Sequence, residues 1–508
     1  MGQIEDALSQ LPDMPSIAVH IQKWRASYPA FDANLRADVE EGKALRALAL
    51  SVWSNGDAAT AVQMLQAALV LCPSDPWVFS DLSGALAATG RIEEARVFLS
   101  LSLNLDSSNA QRWLLFAGYC LQCGETEDAK IALNKALEIN PGLDQAWISL
   151  GIACLQTKEF DAAVQCLREG LRLSDQGSLV HACYGEALFH SGDVPASAQA
   201  YRNAFARGIS DATVMSKHLF AQLLEALLTQ PPASALKIYE NVTGLQVDPP
   251  ASLINKAFHF LSSYGYRPAA LNCARYLLEE SPNDPILSYL ADALRGEVTQ
   301  RAPDAYITEF FDQFSDTFEE KLVGLLQYRV PETIAKEIET RGISFQSCLD
   351  LGCGTGLMAQ LIHQPGRLIT GVDLSSGMLA KAAERKVYTT LIQSEIHRYF
   401  ETVTQTFDAI IAADVLVYIG DLQALMAGAA KCLSSGGHLI VSVETTQKAD
   451  FEILPSGRFA HRLEYLQRLS GDQFSLERII PTNIRRDAIG FANGAIVFMR
   501  RLDRDRHP

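Results

Sequence analysis

The chain has 508 residues, 48% of them hydrophobic and 20% charged, which implies two or more domains with sizeable cores and excludes a disordered or fibrous protein. Its formal net charge is -16, so no overall positive field exists to hold a nucleic-acid backbone or an anionic membrane, and neither is expected as a partner.

Residues 1–10 (MGQIEDALSQ) carry two acids and no apolar run, unlike a secretory signal or a presequence. No uncharged apolar stretch approaches the roughly 18 residues that span a bilayer. The mature chain is therefore expected to begin here and to be cytoplasmic. Ten cysteines are spread through apolar helical patterns, where a reduced thiol packs as a small hydrophobe, and no disulfide framework follows. Cys120 and Cys123 form a Cys-x-x-Cys with no second pair or histidine cluster nearby, so both are read as packing residues and no metal site is expected. The basic end from Arg500 to Arg506 is read as a solvated tail.

After an N-terminal helical cap over 1–40, one pattern returns every 34 residues: Gly56, Gly90, Gly124, Lys158 in the matching slot, then Gly192. Five residues after each anchor the residue is small (Ala61, Ala95, Ala129, Ala163, Ser197), and seven further on come Ala68, Ser102, Ala136, Gly170 and Ala204. Small residues there let two helices cross closely. Apolar positions three and four apart, ending at prolines such as Pro141, make each unit a helix-turn-helix. Such a unit cannot bury its apolar face alone and must stack on its neighbours into a curved superhelix. The pattern resembles the tetratricopeptide repeats over 43–208, with a weaker unit at Leu261–Pro282 carrying Gly265 and Ala270 in register. Pro231-Pro232 and Pro249-Pro250 leave 209–255 open between distorted repeats and plain connecting helices. The repeat segment is placed at 41–295, and the resemblance implies a protein or peptide partner in its groove.

At 296–304 a polar, proline-bearing stretch reads as a linker, and from 305 to 508 the texture alternates short apolar runs with helical ones. Ser347–Leu351, Leu368–Val372, Thr389–Gln393, Ala409–Ala413 and His438–Val443 read as parallel strands with helices on both faces; Phe474–Pro481 and Gly494–Arg500 read as an antiparallel hairpin completing the sheet. The fold class expected is α plus α/β: an all-helical superhelix followed by a doubly wound, seven-stranded, mostly parallel sheet whose last strand is antiparallel.

The first strand ends in Asp350-Leu351-Gly352-Cys353-Gly354-Thr355-Gly356, with a helix opening near Leu357. Glycines there permit a tight turn and the approach of a ligand to backbone N–H groups at a helix start. The spacing Asp-x-Gly-x-Gly-x-Gly is not the Gly-x-Gly-x-x-Gly of a dinucleotide site. Asp373 ends the second strand, where a carboxylate accepts hydrogen bonds from ribose hydroxyls. Glu395 follows the third, placed to accept from an exocyclic amine, with the Ile396 N–H for a ring nitrogen and Leu374 and Met378 for the faces of the base. Asp414 ends the fourth strand in the same crevice, with Tyr418 one turn beyond.

In order and spacing, DLGCGTG, GVDLS, Glu395, FDAIIAADVLVYIGDL and GGHLIVSVE resemble class I S-adenosylmethionine-dependent methyltransferases. The flanking FFDQFSDTFEEKLVGLLQYRVPETI and SGRFAHRLEYL resemble bacterial members that carry tetratricopeptide repeats. The resemblance implies S-adenosyl-L-methionine as cofactor, cradled by Asp350, Gly352, Cys353, Gly354 and Gly356 beside the residues above and Asp414. It also implies that the helix bearing the aromatic stripe Tyr306, Phe310, Phe311, Phe314 and Phe318 closes over the methionine end, with Tyr306 or Tyr328 touching the ligand and Arg329 free for its carboxylate. Methyl transfer is an in-line displacement in which positioning does most of the work, and a base is needed only when the acceptor starts protonated. His461 is the first candidate, because imidazole titrates near neutrality, followed by Asp414 and Tyr418, with Tyr465 beside His461. The leading expectation is an enzyme whose repeats recruit or position a protein or carrier-bound acceptor. A non-catalytic, cofactor-sensing scaffold and a small-molecule methyltransferase with repeat-driven assembly are the alternatives.

Overall fold

The computed structural model describes residues 35–174, 177–244, 249–314, 328–487 and 490–502, in two compact units, Met1–Ala221 and Gln222–Pro508. The cap expected at 1–40 lies almost wholly outside the described residues, as does Phe318.

In the first unit, helices Leu35–Ser54, Ala58–Leu71, Pro76–Ala88, Ile92–Leu105, Ala110–Gln122, Thr126–Ile139, Asp144–Gln156, Phe160–Leu173, Ser178–His190 and Val194–Ala206 follow one another in antiparallel pairs. Their starts are written locally. Asp57 accepts from the Thr60 N–H at 3.0 Å and Asp75 from Trp77 at 2.9 Å, meeting amides that a helix leaves unpaired at its first turn. The periodic anchors are the turns inside each pair, and all have positive φ: Gly56 at 96°, Gly90 at 83°, Gly124 at 80°, Lys158 at 60° and Gly192 at 81°. The small residues stand at the helix crossings. Ala61, Ala95, Ala129, Ala163 and Ser197 are fully buried, and a Cβ on Gly170 would meet Ile148 Cγ1 at 2.7 Å. Where the small residue is serine, its hydroxyl bonds the facing backbone: Ser197 Oγ donates to Gly185 O at 2.8 Å and Ser102 Oγ to Pro76 O at 2.6 Å. Cys120 is buried in the same packing as Ala129 and Leu133, and both Cys120 and Cys123 are free thiols.

The second unit opens with helices, not with a sheet. Pro232–Thr243 and Pro250–Ser263 each start on proline at N1, followed by Arg267–Glu280 and Pro285–Arg295. The proline pairs therefore begin helices instead of breaking them, as a residue without an N–H can at a first turn. Gly265, with φ 78°, and fully buried Ala270 keep the repeat register here. These helices are compact with the sheet domain. Tyr289 Oη donates to Gly457 O at 2.7 Å and Ser262 Oγ to Pro455 O at 3.2 Å. The stretch expected as a linker is bonded in as well: Ala302 N–H donates to Tyr418 O at 2.9 Å, and Gly420 N–H to Gln300 O at 2.8 Å.

The sheet has nine strands: β1 Ser347–Leu351, β2 Leu368–Asp373, β3 Thr390–Gln393, β4 Phe407–Ala412, β5 Leu433–Thr445, β6 Phe451–Ile453, β7 Phe459–His461, β8 Phe474–Asp487 and β9 Gly490–Arg501. Strands β3, β2, β1, β4 and β5 lie side by side and parallel. Strand β9 then pairs antiparallel with β5, and β8 with β9. These seven are the sheet anticipated from sequence. The two additional strands form a short antiparallel hairpin whose β7 continues on β5 at Glu444 and Thr445. Leu349, Leu351, Ile410, Ala412, Leu439 and Val441 are fully buried in one apolar core, and Ile369, Ile411, Ile440 and Phe498 in another on the opposite face. Among the described residues no helix is long and apolar enough to cross a membrane.

Candidate functional site

Strands β1 and β4 are neighbours, and the chain leaves them toward opposite edges of the sheet. That reversal opens a crevice at their carboxyl ends, where open sheets bind ligands. Here it is a cavity of about 300 Å³, lined by the glycine loop, the ends of β2, β3 and β4, and residues 301–311.

Gly352, Gly354 and Gly356 all have positive φ, at 61°, 53° and 87°. A Cβ on Gly352 would collide with Val415 Cγ2, whereas one on Gly354 would meet nothing within 4 Å. The first glycine is thus required by packing against the chain after β4, and the second leaves open backbone facing the cavity. Gly356, the N-cap of helix Leu357–Ile362, is not on the lining; a Cβ there would meet Arg385 and Tyr388 at 3.0 Å. Thr355 Oγ1 is buried on the lining with no hydrogen-bond partner among the described residues.

Asp350 is 2% exposed and accepts from Tyr388 Oη at 2.7 Å. Burial pushes its carboxyl up to about 7, against the opposing effect of that hydrogen bond. Asp373 accepts from Gly354 N–H through Oδ2 and from Ser375 N–H through Oδ1, both at 2.9 Å. Burial raises its carboxyl above the usual range, partly offset by those backbone donors. Each oxygen retains a lone pair for a ligand donor. Leu374, Met378 and Ile396 line the cavity.

Glu395 is on the lining, but its oxygens are engaged. It is the N-cap of helix Ile396–Thr402, accepting from Arg398 N–H at 2.9 Å, and its Oε1 lies 2.8 Å from His397 Nδ1 and 3.3 Å from Arg301 Nη1. Burial alone would raise its carboxyl; the Arg398 N–H and His397 outweigh it and hold the carboxyl below its usual value.

Asp414 follows β4 with φ 57°, a left-handed conformation that few residues other than glycine adopt. Its carboxylate lies between Arg458 Nη1, at 3.4 Å, and Arg485 Nη1, at 3.6 Å. Glu444 closes the group, 2.7 Å from Arg485 Nη2 and 3.9 Å from Arg458 Nη1. Two carboxylates thus alternate with two guanidiniums, the pairing that buried charge requires. Asp414 Oδ1 is nevertheless buried with no hydrogen-bond partner among the described residues. Tyr418 lies on the lining beside Asp414, with the Arg458 guanidinium 5.3 Å from its ring centre and Phe311 edge-on at 5.6 Å.

Eleven of the anticipated positions therefore meet on one cavity: Asp350, Gly352, Cys353, Gly354, Asp373, Leu374, Met378, Glu395, Ile396, Asp414 and Tyr418. Tyr328 joins them. Four others are placed elsewhere: Gly356, as above, His461, Tyr306 and Arg329. His461 is fully buried on β7, its Nε2 at 2.9 Å from Ile419 O and 3.1 Å from Gly420 O, and burial lowers its imidazole to about 4 despite those carbonyls. The neutral ring spends its one N–H on the backbone and does not reach the cavity. Tyr306 is not on the lining; its ring lies tilted between those of Tyr289, at 5.3 Å, and Tyr418, at 6.5 Å. Arg329 is 67% exposed, 3.6 Å from Glu332. Arg458 and Arg301 line the cavity without having been singled out from sequence. Arg458 sits in a turn between two three-residue strands, which carry no readable alternation.

Comparison with known proteins finds family matches in both parts of the chain. The family described as "Methyltransferase domain" matches residues 349–441, and tetratricopeptide repeat families match 18–76, 110–143 and 144–176. The ubiquinone biosynthesis O-methyltransferase of Vibrio atlanticus (strain LGP32) is 29% identical over 108 residues, 20% of this chain and 46% of the relative. That of Hydrogenovibrio crunogenus (strain DSM 25203 / XCL-2) is 28% identical over 140 residues, 26% of this chain and 57% of the relative. The chain spans about half the length of the curated relatives it matches. Among solved structures, magnesium protoporphyrin IX methyltransferase from Synechocystis PCC 6803 with bound SAH is 18% identical at a TM-score of 0.31, covering 39% of this chain and 96% of its own. A Pseudomonas aeruginosa pilF structure is 18% identical at 0.33, covering 49% and 95%. The chain carries a methyltransferase domain behind N-terminal tetratricopeptide repeats.

Proposed function

We propose that the cavity binds S-adenosylmethionine and that the chain transfers the methyl group to a protein or carrier-bound acceptor recruited by its repeats. One observation carries this reading: the cavity is lined by an Asp373 carboxylate held by two backbone N–H groups, the open backbone of Gly354 and the Thr355 hydroxyl, which has no partner among the described residues. That donor and acceptor set suits a ligand with ribose hydroxyls at one end and an amino-acid group at the other. Asp373 would hold the hydroxyls, Leu374 and Met378 the faces of the base, and the Ile396 N–H its edge.

When bound, the cofactor supplies an electrophilic methyl carbon on a sulfonium. The chain's own contribution is orientation, which is worth about 7–11 kcal/mol when the reacting atoms are aligned, and exclusion of water by Ile307, Phe311 and Ile419 on the lining. Asp414 is the group that takes the acceptor's proton, through Oδ1, which is ion-paired with Arg485 at 3.6 Å but has no hydrogen-bond partner among the described residues, while Arg458 holds Oδ2.

The relatives' name, ubiquinone biosynthesis O-methyltransferase, favours a second reading, in which the acceptor is a small molecule methylated on oxygen and the repeats only drive assembly. Incubating the purified chain with methyl-labelled cofactor and a lysate of its host separates the two. Label in macromolecules supports the first and label in small molecules the second. Cofactor binding with no label in either identifies a non-catalytic scaffold. Asp373→Ala tests the site itself. Loss of a charge-assisted hydrogen bond, worth about 1.5–3 kcal/mol, should weaken S-adenosylhomocysteine binding in calorimetry by about ten- to a hundredfold, and unchanged affinity in the folded variant would remove the ribose assignment.

A further inference from the structure

The end of the cavity that holds Asp414 adjoins a turn whose other side is helix Pro285–Arg295. Residues 454–458 close tightly, Leu454 N–H donating to Arg458 O at 2.7 Å and Gly457 N–H to Leu454 O at 2.9 Å. Gly457 has φ 75°, and a Cβ on it would meet Leu290 Cδ2 at 2.9 Å and Tyr289 Cε1 at 3.3 Å. Helix Pro285–Arg295 thus lies flat on this backbone, and buried Tyr289 Oη bonds the Gly457 carbonyl. The next residue is Arg458, 3.4 Å from Asp414. A second tie reaches the same place: Ala302 and Gln300 bond the backbone of Tyr418 and Gly420, and rings of Tyr289, Tyr306 and Tyr418 follow one another at 5.3 and 6.5 Å.

We propose that helix Pro285–Arg295 is a working wall of the acceptor site, with Tyr289 the positioning residue that sets Arg458 against Asp414. Among the described residues Gly354 and Asp373, on the cofactor side, share no hydrogen bond with this wall; Glu395 alone is tied to it, through Arg301 at 3.3 Å. A displacement of helix Pro285–Arg295 is therefore transmitted to the acceptor groups and spares Gly354 and Asp373; by thermodynamic reciprocity, occupancy of the acceptor end tightens the helix on its turn. The proposal rests on the reading of the cavity given above.

Tyr289→Phe in the full-length protein tests it, since the ring stays and only the hydroxyl goes. Hydrogen exchange at the Leu454 and Gly457 amides should accelerate about five- to tenfold, the effect of losing one buried hydrogen bond, while exchange across β1 is unchanged. S-adenosylhomocysteine should bind within twofold of wild type. Transfer of labelled methyl to lysate should lose about tenfold in maximal rate at an unchanged KM for cofactor. Gly457→Ala, which pushes the same turn from the other side, should reproduce the split. Wild-type exchange at the turn in Tyr289→Phe overturns the proposal, and so does a variant that loses rate and cofactor affinity together. A wild-type protein that binds no S-adenosylhomocysteine defeats the reading of the cavity, and the exchange result still decides whether Tyr289 holds the turn.

Discussion

Asp350 shows how far burial alters a single group. Its carboxyl is almost out of water, with the Tyr388 hydroxyl as its hydrogen-bond donor, and it is raised to about 7, compared with about 3.9 in an unfolded chain. Between those values the unfolded chain has released a proton that the folded one keeps. Stability from this group is therefore complete below about pH 4, falls as pH rises and is gone above about pH 7. Asp350→Asn keeps an acceptor for Tyr388 and has no proton to lose. Thermal melts of the ligand-free protein should show it matching wild type near pH 4 and exceeding it at pH 8, by an amount on the order of 4 kcal/mol for a three-unit shift. A variant less stable at pH 8 would mean that the carboxylate is held charged by a contact stronger than the Tyr388 bond. His461 carries the opposite lesson. Sequence singles it out because histidine titrates near neutrality, but the backbone carbonyls around it and its depth in β7 are set by chain segments far from it in sequence. A residue's type is legible; its depth is not.

At the scale of elements, the repeat turn was legible because its constraint is covalent and local. Every anchor needs a left-handed residue, glycine is the one that adopts it freely, and the period of 34 follows from Gly56, Gly90 and Gly124 alone. Lys158 occupies the same conformation with a side chain, at φ 60°, where a residue with a Cβ is strained by about 1–2 kcal/mol. Lys158→Gly should relieve that strain and lose part of the gain to the entropy of its unfolded chain, leaving a net stabilisation of about 0.5–1 kcal/mol visible as a higher midpoint in urea. A lower midpoint would show that the lysine side chain contributes more than its backbone costs. The five parallel strands and the last hairpin were legible for a similar reason: buried strands read as apolar runs, and the acids Asp373 and Asp414 mark their ends. The hairpin of β6 and β7 was not legible, being three residues to a strand. With it went Arg458, which the β6–β7 turn carries beside Asp414 and whose neighbour Gly457 meets a helix some 170 residues earlier. Nor does the sequence announce that Glu395 caps a helix at the rim where a nucleobase was expected.

For the whole molecule, the change of texture after residue 295 suggested a boundary that packing does not respect. Composition shifts where the secondary structure changes, whereas a compact unit ends where apolar contacts stop, and here they continue from helix Pro285–Arg295 onto the sheet domain. Tyr289 is 3% exposed, Leu290 8% and Leu294 1%. A chain beginning at Asp211, in the turn before helix Ala212–Leu227, retains all of that packing; one beginning at Glu297 discards it. Each large apolar side chain that loses its cover costs about 1.5–3 kcal/mol, so the shorter chain should melt several degrees lower and exchange the amides of 454–458 faster. The longer one should bind S-adenosylhomocysteine with the affinity of the full protein. Fluorimetric melts and calorimetry on the two truncations check this. Equal melting temperatures would show that the sheet domain is complete without helix Pro285–Arg295, in which case its contacts with Gly457 add nothing to the stability of the fold.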